Sequence, residues 1–184
     1  MESFKWLTEE RMEINIQQER AGDREAVYAV HAAAFGRESE ATLVDLLRND
    51  RAFIPALSFV ACIGDQLVGH VLITEIEIVS EDGKVVPSLA LAPIAVVPEF
   101  QQQGIGSQLI EVALDEARLL GYSSVIVLGH AAYYPKFGFV PASTWQIKAP
   151  FEVADEVFMA LELIPGGLSG ISGTVRYSKP FENV

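Results

Sequence analysis

The chain has 184 residues, of which half are hydrophobic, and a formal net charge of -12 from 13 basic and 25 acidic side chains. An acidic balance of this size repels a phosphate backbone, which argues against nucleic acid as a partner. The longest unbroken apolar run, residues 89–97, has about half the length of a membrane-spanning helix, which argues against a membrane partner.

The chain length and the hydrophobic content favour a single domain over residues 1–184. Its core is expected at about 12–164, followed by a C-terminal extension at 165–184. The one cysteine, Cys62, has no partner for an internal disulfide. The first residues carry mixed charge instead of an apolar stretch, so no signal peptide is expected. These features together predict a cytoplasmic protein.

The first third of the chain predicts one strand and two helices. Residues 13–17 alternate apolar and polar side chains, as in a half-buried strand. Asp23 is placed to cap a helix over 24–35. A second helix begins after Ser39 and ends at Asn49 and Asp50, and its predicted core-facing residues are Leu43, Val44, Leu46 and Leu47.

Three strands are predicted next, over 58–63, 66–79 and 85–97, and they form an antiparallel meander. Gly64 and Asp65 suit a two-residue hairpin turn between the first two. Pro93 lies inside the third strand and has no N–H to donate, so it predicts a bulge or an irregular pairing there.

The loop after this third strand is the most informative segment of the chain. It separates Pro98 from a predicted helix and reads Gln101, Gln102, Gln103, Gly104, Ile105, Gly106, Ser107. Its glycines let a ligand approach the backbone where the first helical N–H groups have no internal partner, so the loop predicts a pyrophosphate site. It is not a dinucleotide fingerprint, because Leu109 stands where the third glycine would be, and no Gly-Lys-Ser/Thr occurs.

The helix after the loop extends over 105–120 and ends at Gly121. Its predicted apolar residues are Ile105, Leu109, Val112, Ala113 and Leu120. A strand at 124–128 then becomes a parallel neighbour of 94–97 through a right-handed crossover. Further strands are predicted at 156–163 and, after a glycine-rich segment, at 174–178. An aromatic cluster lies between, and it reads Tyr133, Tyr134, Pro135, Lys136, Phe137, Gly138, Phe139.

The loop and the aromatic cluster together resemble two motifs of the GNAT superfamily of acetyl-CoA-dependent N-acetyltransferases. Residues 93–107 resemble its Gln/Arg-x-x-Gly-x-Gly/Ala motif, and 133–139 resemble its second motif, a tyrosine four residues before Gly-Phe. The resemblance is closest to the bacterial branch described as YhbS-like predicted acetyltransferases. It implies an α/β (α+β) fold with a mixed, mostly antiparallel sheet flanked by helices, in which two parallel central strands splay apart.

The resemblance also implies the site residues of an acetyl transfer to a primary amine by direct attack. Tyr134 would be the general acid that protonates the sulfur of coenzyme A. Backbone groups of Ile94, Ala95 and Val96 would contact the thioester and pantetheine, the 101–107 loop would hold the pyrophosphate, and Lys136 would supply charge to a coenzyme A phosphate. No metal is expected, because the three histidines lack paired metal-ligand spacing.

The sequence departs from the family pattern at two places. Many members have Arg or Lys where this chain has Gln102 and Gln103, so binding would rest on amides and the helix dipole. The branch often reads Gly-Asp-Pro before its tyrosines, whereas this chain has Gly129, His130, Ala131.

Several alternatives stay open at this point. The residues that could act as the base are His70, His130, Glu75 and Glu77, and a water chain could serve instead. The acceptor is a small-molecule amine or a peptide or protein amine, and a homodimer is left open. Two other functions compete with catalysis: a catalytically silent coenzyme A-binding or regulatory module of the same fold, and a nucleotide-binding domain without acyl transfer.

Overall fold

The computed structural model describes residues 13–183. Its strands are β1 (Ile14–Gln18), β2 (Phe53–Ile63), β3 (Gln66–Val79), β4 (Val85–Val96), β5 (Ser124–Leu128), β6 (Val140–Pro141), β7 (Ile147–Lys148), β8 (Phe158–Glu162) and β9 (Gly173–Arg176). Its α-helices are α1 (Arg24–Phe35), α2 (Ser39–Leu47) and α3 (Ile105–Leu119). Among these residues, no helix is both long and apolar enough to cross a membrane.

The strands form one mixed sheet in the order β1-β2-β3-β4-β5-β8-β6, with β9 paired to β3 and β7 paired to β9. All of these pairs are antiparallel except β4–β5 and β7–β9. The mostly antiparallel sheet with a parallel central pair confirms the fold predicted from the sequence. The C-terminal residues contribute β9, which pairs with residues 77–79 of β3.

The parallel pair is short, and this creates a gap in the middle of the sheet. β4 and β5 are joined only at Leu89–Val125 and Ala90–Ile126, although β4 continues to Val96. The partners of β4 on β3 also shift between Leu91 and Ile94, which confirms the irregular pairing predicted around Pro93. β4 therefore ends as a strand paired on one side only.

Helices cover both faces of the sheet. α3 packs its apolar stripe on one face, with Leu109, Ala113 and the buried side chains of β2 to β5 in one core. α1 and α2 cover part of the other face through Val27, Val44 and Leu47. The rest of that face is covered by the C-terminal segment.

Most predicted boundaries agree with the structure to within a few residues. β2 is longer than predicted, because it begins at Phe53, ahead of a register shift that precedes Ser58. Gly64 and Asp65 form the predicted hairpin turn, with Gly64 at φ 56°. Gly121 ends the third helix as predicted, with φ 85°.

Three predicted core positions and one cap were wrong. Leu46 and Val112 are 41% and 37% exposed, because each lies well away from the centre of the buried stripe of its helix. Leu120 is 45% exposed because it follows the last turn of α3. Asp23 does not cap α1, since its carboxylate accepts the N–H of Arg20 at 2.7 Å and holds the short 3-10 turn ahead of that helix.

Candidate active site

The loop between β4 and α3 is tied back to its own main chain by two glutamine side chains. Gln101 Nε2 donates to the carbonyl oxygen of Val96 at 2.9 Å. Gln103 Nε2 donates to the carbonyl oxygen of Glu99 at 3.1 Å. Both side chains are therefore used to shape the loop, which leaves its main-chain groups as the surface that a ligand would contact.

The backbone of the loop exposes a run of N–H groups. Gln102 and Gly104 have φ of 61° and 84°, in the left-handed region, and α3 begins immediately after Gly104. Within the described part of the chain, none of the six N–H groups from Gln102 to Ser107 has a hydrogen-bond partner. Unpaired N–H groups in such a turn, followed by the positive end of a helix, form a binding site for an anion.

The aromatic cluster meets the loop at Ser107. Lys136 Nζ donates to Ser107 Oγ at 2.8 Å and lies 4.0 Å from the centroid of the Tyr133 ring. A Cβ atom at Gly106 would lie 3.1 Å from Tyr133 Oη, so the glycine lets the two segments approach. The structure thus places one ammonium group beside the uncharged loop.

Tyr134 begins the short 3-10 turn that carries Lys136, and its ring is only 7% exposed. The ring packs edge-on against Tyr133 and Phe139, with centroids 5.2 and 5.8 Å away. Burial, with a smaller effect of Tyr133, raises the pKa of Tyr134 to about 12. Its hydroxyl group, which has no hydrogen-bond partner among the described residues, therefore keeps its proton at neutral pH.

The position of the Tyr134 ring depends on a glycine. A Cβ atom at Gly129 would lie 2.2 Å from Cε2 of Tyr134, which no real contact allows. Sequence reasoning noted Gly129 only as the start of a departure from the family pattern and missed this role. The signal was available, because a glycine that directly follows a strand often marks close packing.

The end of β4 presents main-chain groups to the gap left by β5. Val97 donates its N–H to Val68 on β3, and main-chain groups in an antiparallel pair alternate in direction. The groups of Ile94 and Val96 therefore point away from β3, whereas those of Ala95 point toward it. The Ile94 and Val96 side chains approach Gly106, so this strand end and the loop form one surface.

Comparison of the sequence with models of known protein families identifies the family of this chain. The model of the Acetyltransferase (GNAT) family matches residues 24–139, which is more than half of the chain. The chain belongs to the GNAT acetyltransferase family. Acetyltransferases of this family use acetyl-CoA as their co-substrate. Among residues 13–183, no group of three or more His, Cys, Asp or Glu side chains could hold a metal ion.

Individual relatives agree with the family match. The GNAT acetyltransferase is 39% identical over 163 residues to the uncharacterized N-acetyltransferase YjhQ of Escherichia coli K12, covering 87% of this chain and 90% of the relative. It is 31% identical to the uncharacterized N-acetyltransferase YhbS of the same organism, covering 86% and 93%. The predicted similarity to the YhbS-like branch is confirmed.

Two solved structures have the same fold. The crystal structure of YhbS from E. coli in complex with CoA has a TM-score of 0.85 and 28% identity, covering 93% of both chains. A GNAT family acetyltransferase from Brucella melitensis in complex with acetyl-CoA has a TM-score of 0.75 and 28% identity, covering 92% of this chain and 99% of that one.

The four residues that could serve as the base have very different surroundings in this acetyltransferase. Glu75 accepts a hydrogen bond from the Tyr122 hydroxyl at 2.9 Å, and Glu77 pairs with Arg176 at 2.5 Å. His70 is completely buried with both ring nitrogens hydrogen-bonded. His130 is exposed, and its carbonyl oxygen accepts the N–H of Tyr133 at 3.0 Å.

Sequence reasoning missed the buried polar residues around His70. They come from four other elements or their flanks, and they are Glu19, His31, Arg48 and Ser58. One signal was available, because His31 lies among Val27, Val30 and Ala34 in the apolar stripe of α1. The partner of that histidine, 39 residues away, could not be read from the sequence.

Proposed function

We propose that this acetyltransferase moves the acetyl group of acetyl-CoA to a primary amine by direct attack, without a covalent enzyme intermediate. One observation carries the proposal: the unpartnered N–H groups of residues 102–107 lie beside two other features. These are the end of β4, which is paired with β3 but no longer with β5, and the segment that carries Tyr134. Two solved structures with the same fold, YhbS in complex with CoA and the Brucella melitensis acetyltransferase in complex with acetyl-CoA, support the proposed co-substrate.

The loop and its neighbours would hold the co-substrate. The N–H groups of residues 102–107 would bind the pyrophosphate, and Lys136 with the Ser107 hydroxyl would add a cation and a donor at the edge of the loop. The main-chain groups of Ile94 and the N–H of Val96 point into the gap; they would bind the pantetheine arm, and a backbone N–H near Val96 would polarise the thioester carbonyl. Ala95 would belong to the same strand segment, but its main-chain N–H points toward β3 and is not free for the co-substrate.

The chemistry needs one bond formed and one broken. The amine nitrogen attacks the thioester carbon, a C–N bond forms, the C–S bond breaks, and the thiolate leaves with its electron pair. Tyr134 would donate its hydroxyl proton to that sulfur. The proton is available at pH 7 because the pKa of Tyr134 is raised to about 12. The amine gives up one proton to a base.

The acceptor is a small-molecule, peptide or protein amine. The net charge of -12 favours the approach of a cationic amine over that of an anionic compound. We place the reaction in the cytoplasm, where a chain with the single cysteine Cys62 needs no oxidising compartment.

A thiol-release assay tests the reaction. Acetyl-CoA is incubated with spermidine, Nα-acetyl-lysine or a short peptide with a free amino terminus, and free CoA thiol is measured. We expect turnover with at least one amine and a fall in kcat of about 100-fold or more for Tyr134→Phe. Tyr177→Phe is the matched control, because Tyr177 also has a pKa raised to about 12 by burial and packs against Phe151 and Phe181 in the C-terminal segment.

The same samples separate the competing functions. Binding of acetyl-CoA in calorimetry without turnover of any amine would favour the silent coenzyme A-binding module. Thermal stabilisation by ATP or NAD but not by acetyl-CoA would favour the nucleotide-binding domain. Undiminished turnover in Tyr134→Phe would remove Tyr134 as the acid but leave the transfer reaction standing.

A further inference from the structure

The gap beside β4 opens to both faces of the sheet, and the groups proposed to hold the co-substrate lie on one of them. The side chains of Ile94 and Val96 approach Gly106 in the first turn of α3. Lys136 donates to Ser107 in the same turn. With the co-substrate held on the α3 face, the face left for an acceptor amine is the opposite one, which α1 and the C-terminal segment cover in part.

Leu128 lies beside the gap on that opposite face. Val125 and Val127 of β5 belong to the core under α3, whereas Ile126 belongs to the core of the other face. Alternation along a strand therefore places the side chain of Leu128 on the same face as Ile126. Ile126 is the last residue of β5 that pairs with β4, and its partner is Ala90. Leu128 follows two residues later, where β4 has separated, and is 47% exposed.

The β4 side of the gap carries a small residue at this level. Leu91 belongs to the core under α3, so alternation places Ala92 on the opposite face. Ala92 lies two residues beyond Ala90 and would be the partner of Leu128 if the parallel pairing continued. Its side chain is half-buried. A half-buried alanine on one strand and an exposed leucine on the other leave an apolar opening where the strands part.

The segment between β7 and β8 continues this apolar surface. The carbonyl oxygen of Val157 accepts the N–H of Gly129 at 2.9 Å, so the end of the segment is fixed one residue beyond Leu128. The same segment carries Phe151 and Val153, which are both exposed. Ala149 at its start packs against the core that contains Ile126, so the segment lies on the face opposite α3.

We propose that this opening selects an acceptor whose primary amine is attached to an apolar carbon skeleton, and that Leu128 determines this specificity. The inference rests on the proposed acetyl transfer and names the substrate class of its acceptor. The amine nitrogen would enter the gap between β4 and β5, and the hydrocarbon would lie along Leu128 toward the 149–157 segment. Leu128 contacts the skeleton of the acceptor and takes no part in the proton transfers.

The physical basis is the apolar surface that the acceptor would remove from water. Hydrocarbon laid against Leu128 buries apolar area on both partners, and each buried methylene raises affinity about fourfold. A second ammonium group at the far end of the skeleton would instead lose hydration against the leucine. The exposed carboxylates of Glu152, Asp155 and Glu156 on the neighbouring segment would attract the protonated amine toward this face.

A matched set of amines measures the preference. Hexylamine, ethylamine and diaminohexane present the same primary amine on a long apolar, a short apolar or a terminally charged skeleton. We expect kcat/KM for hexylamine to exceed that for each of the other two by at least about tenfold, because two buried methylenes at about fourfold each already give this factor. The thiol-release assay with acetyl-CoA supplies the rates.

Leu128→Asn is the test variant, because asparagine has nearly the size of leucine without its apolar surface. We expect it to lower kcat/KM for hexylamine about tenfold, mainly through KM, while kcat/KM for ethylamine and the Kd for acetyl-CoA stay within about twofold of the wild type. Leu119→Asn is the matched control, because Leu119 is 81% exposed at the end of α3, which covers the other face of the sheet.

A second measurement works without turnover. In protein saturated with CoA and labelled at its leucine methyl groups, the Leu128 signals are those missing from the NMR spectrum of Leu128→Asn. We expect added hexylamine to shift these signals and to leave the Leu119 signals in place. Unshifted Leu128 signals at a hexylamine concentration equal to its KM would overturn the contact.

The outcomes separate this inference from the function on which it depends. Turnover of ethylamine, diaminohexane, spermidine, Nα-acetyl-lysine or the peptide at an efficiency equal to or above that of hexylamine would overturn the apolar class and leave acetyl transfer intact. A preference for hexylamine that is unchanged in Leu128→Asn would overturn the role of Leu128. A folded wild-type protein that binds acetyl-CoA but acetylates none of these amines would overturn both proposals.

Discussion

The two buried histidines tie the stability of the fold to pH. His31 has an unfolded-state pKa of about 6.5 and a folded-state pKa of about 3, because burial disfavours its charged form. Between pH 7 and pH 5 the unfolded chain takes up a proton there and the folded chain does not, so stability falls as the pH falls. For His31 alone the loss over this range is about 2 kcal/mol. His70, whose pKa is also lowered by burial, adds to the loss in the same direction.

Thermal unfolding followed by circular dichroism at pH 7 and pH 5 measures this effect. For a chain of this size, about 2 kcal/mol corresponds to a fall in Tm of about 4–8 °C. His31→Gln is the control, because removing one of the two groups should reduce the fall between the two pH values by about the same 2 kcal/mol. A wild-type Tm that does not change from pH 7 to pH 5, or a variant with an unchanged dependence, would refute the reasoning.

Three further predictions concern the proposed co-substrate site. Gly129→Ala displaces the Tyr134 ring, so we expect kcat to fall at least about tenfold with acetyl-CoA affinity retained; unchanged kcat would contradict the role of Gly129. Gly104→Ala and Gly121→Ala strain the two ends of α3 equally, at φ 84° and 85° and with open space around each, costing about 1–2 kcal/mol apiece. Only Gly104→Ala should weaken acetyl-CoA binding in calorimetry, and equal weakening by both would indicate a general loss of the helix. Lys136→Met should raise the Kd for acetyl-CoA by about fivefold and reduce its salt dependence, and a salt dependence equal to that of the wild type would exclude contact between the ammonium group and a phosphate.

Local signals predicted most elements of the fold. Alternation and helical periodicity placed β1, α1, β3 and α3 almost at their observed ends, because these patterns record which face of an element is buried. Gly121 and Pro93 marked a helix end and an irregular strand, because their backbone chemistry has the same effect in any context. Predictions failed where an apolar residue lies off the buried stripe of its helix, as at Leu46, or where a side chain hydrogen-bonds a different group from the one predicted, as at Asp23.

The amino-acid sequence by itself determined the strand, loop and helix that expose a row of N–H groups, and the aromatic segment that follows about 30 residues later. Only the tertiary structure decided that β5 leaves β4 after two pairs and that Lys136 reaches Ser107. It alone joined His31 to a histidine 39 residues away. The reason is physical: periodicity and glycine placement act within a few residues, whereas strand pairing and buried hydrogen bonds depend on which distant segments pack together.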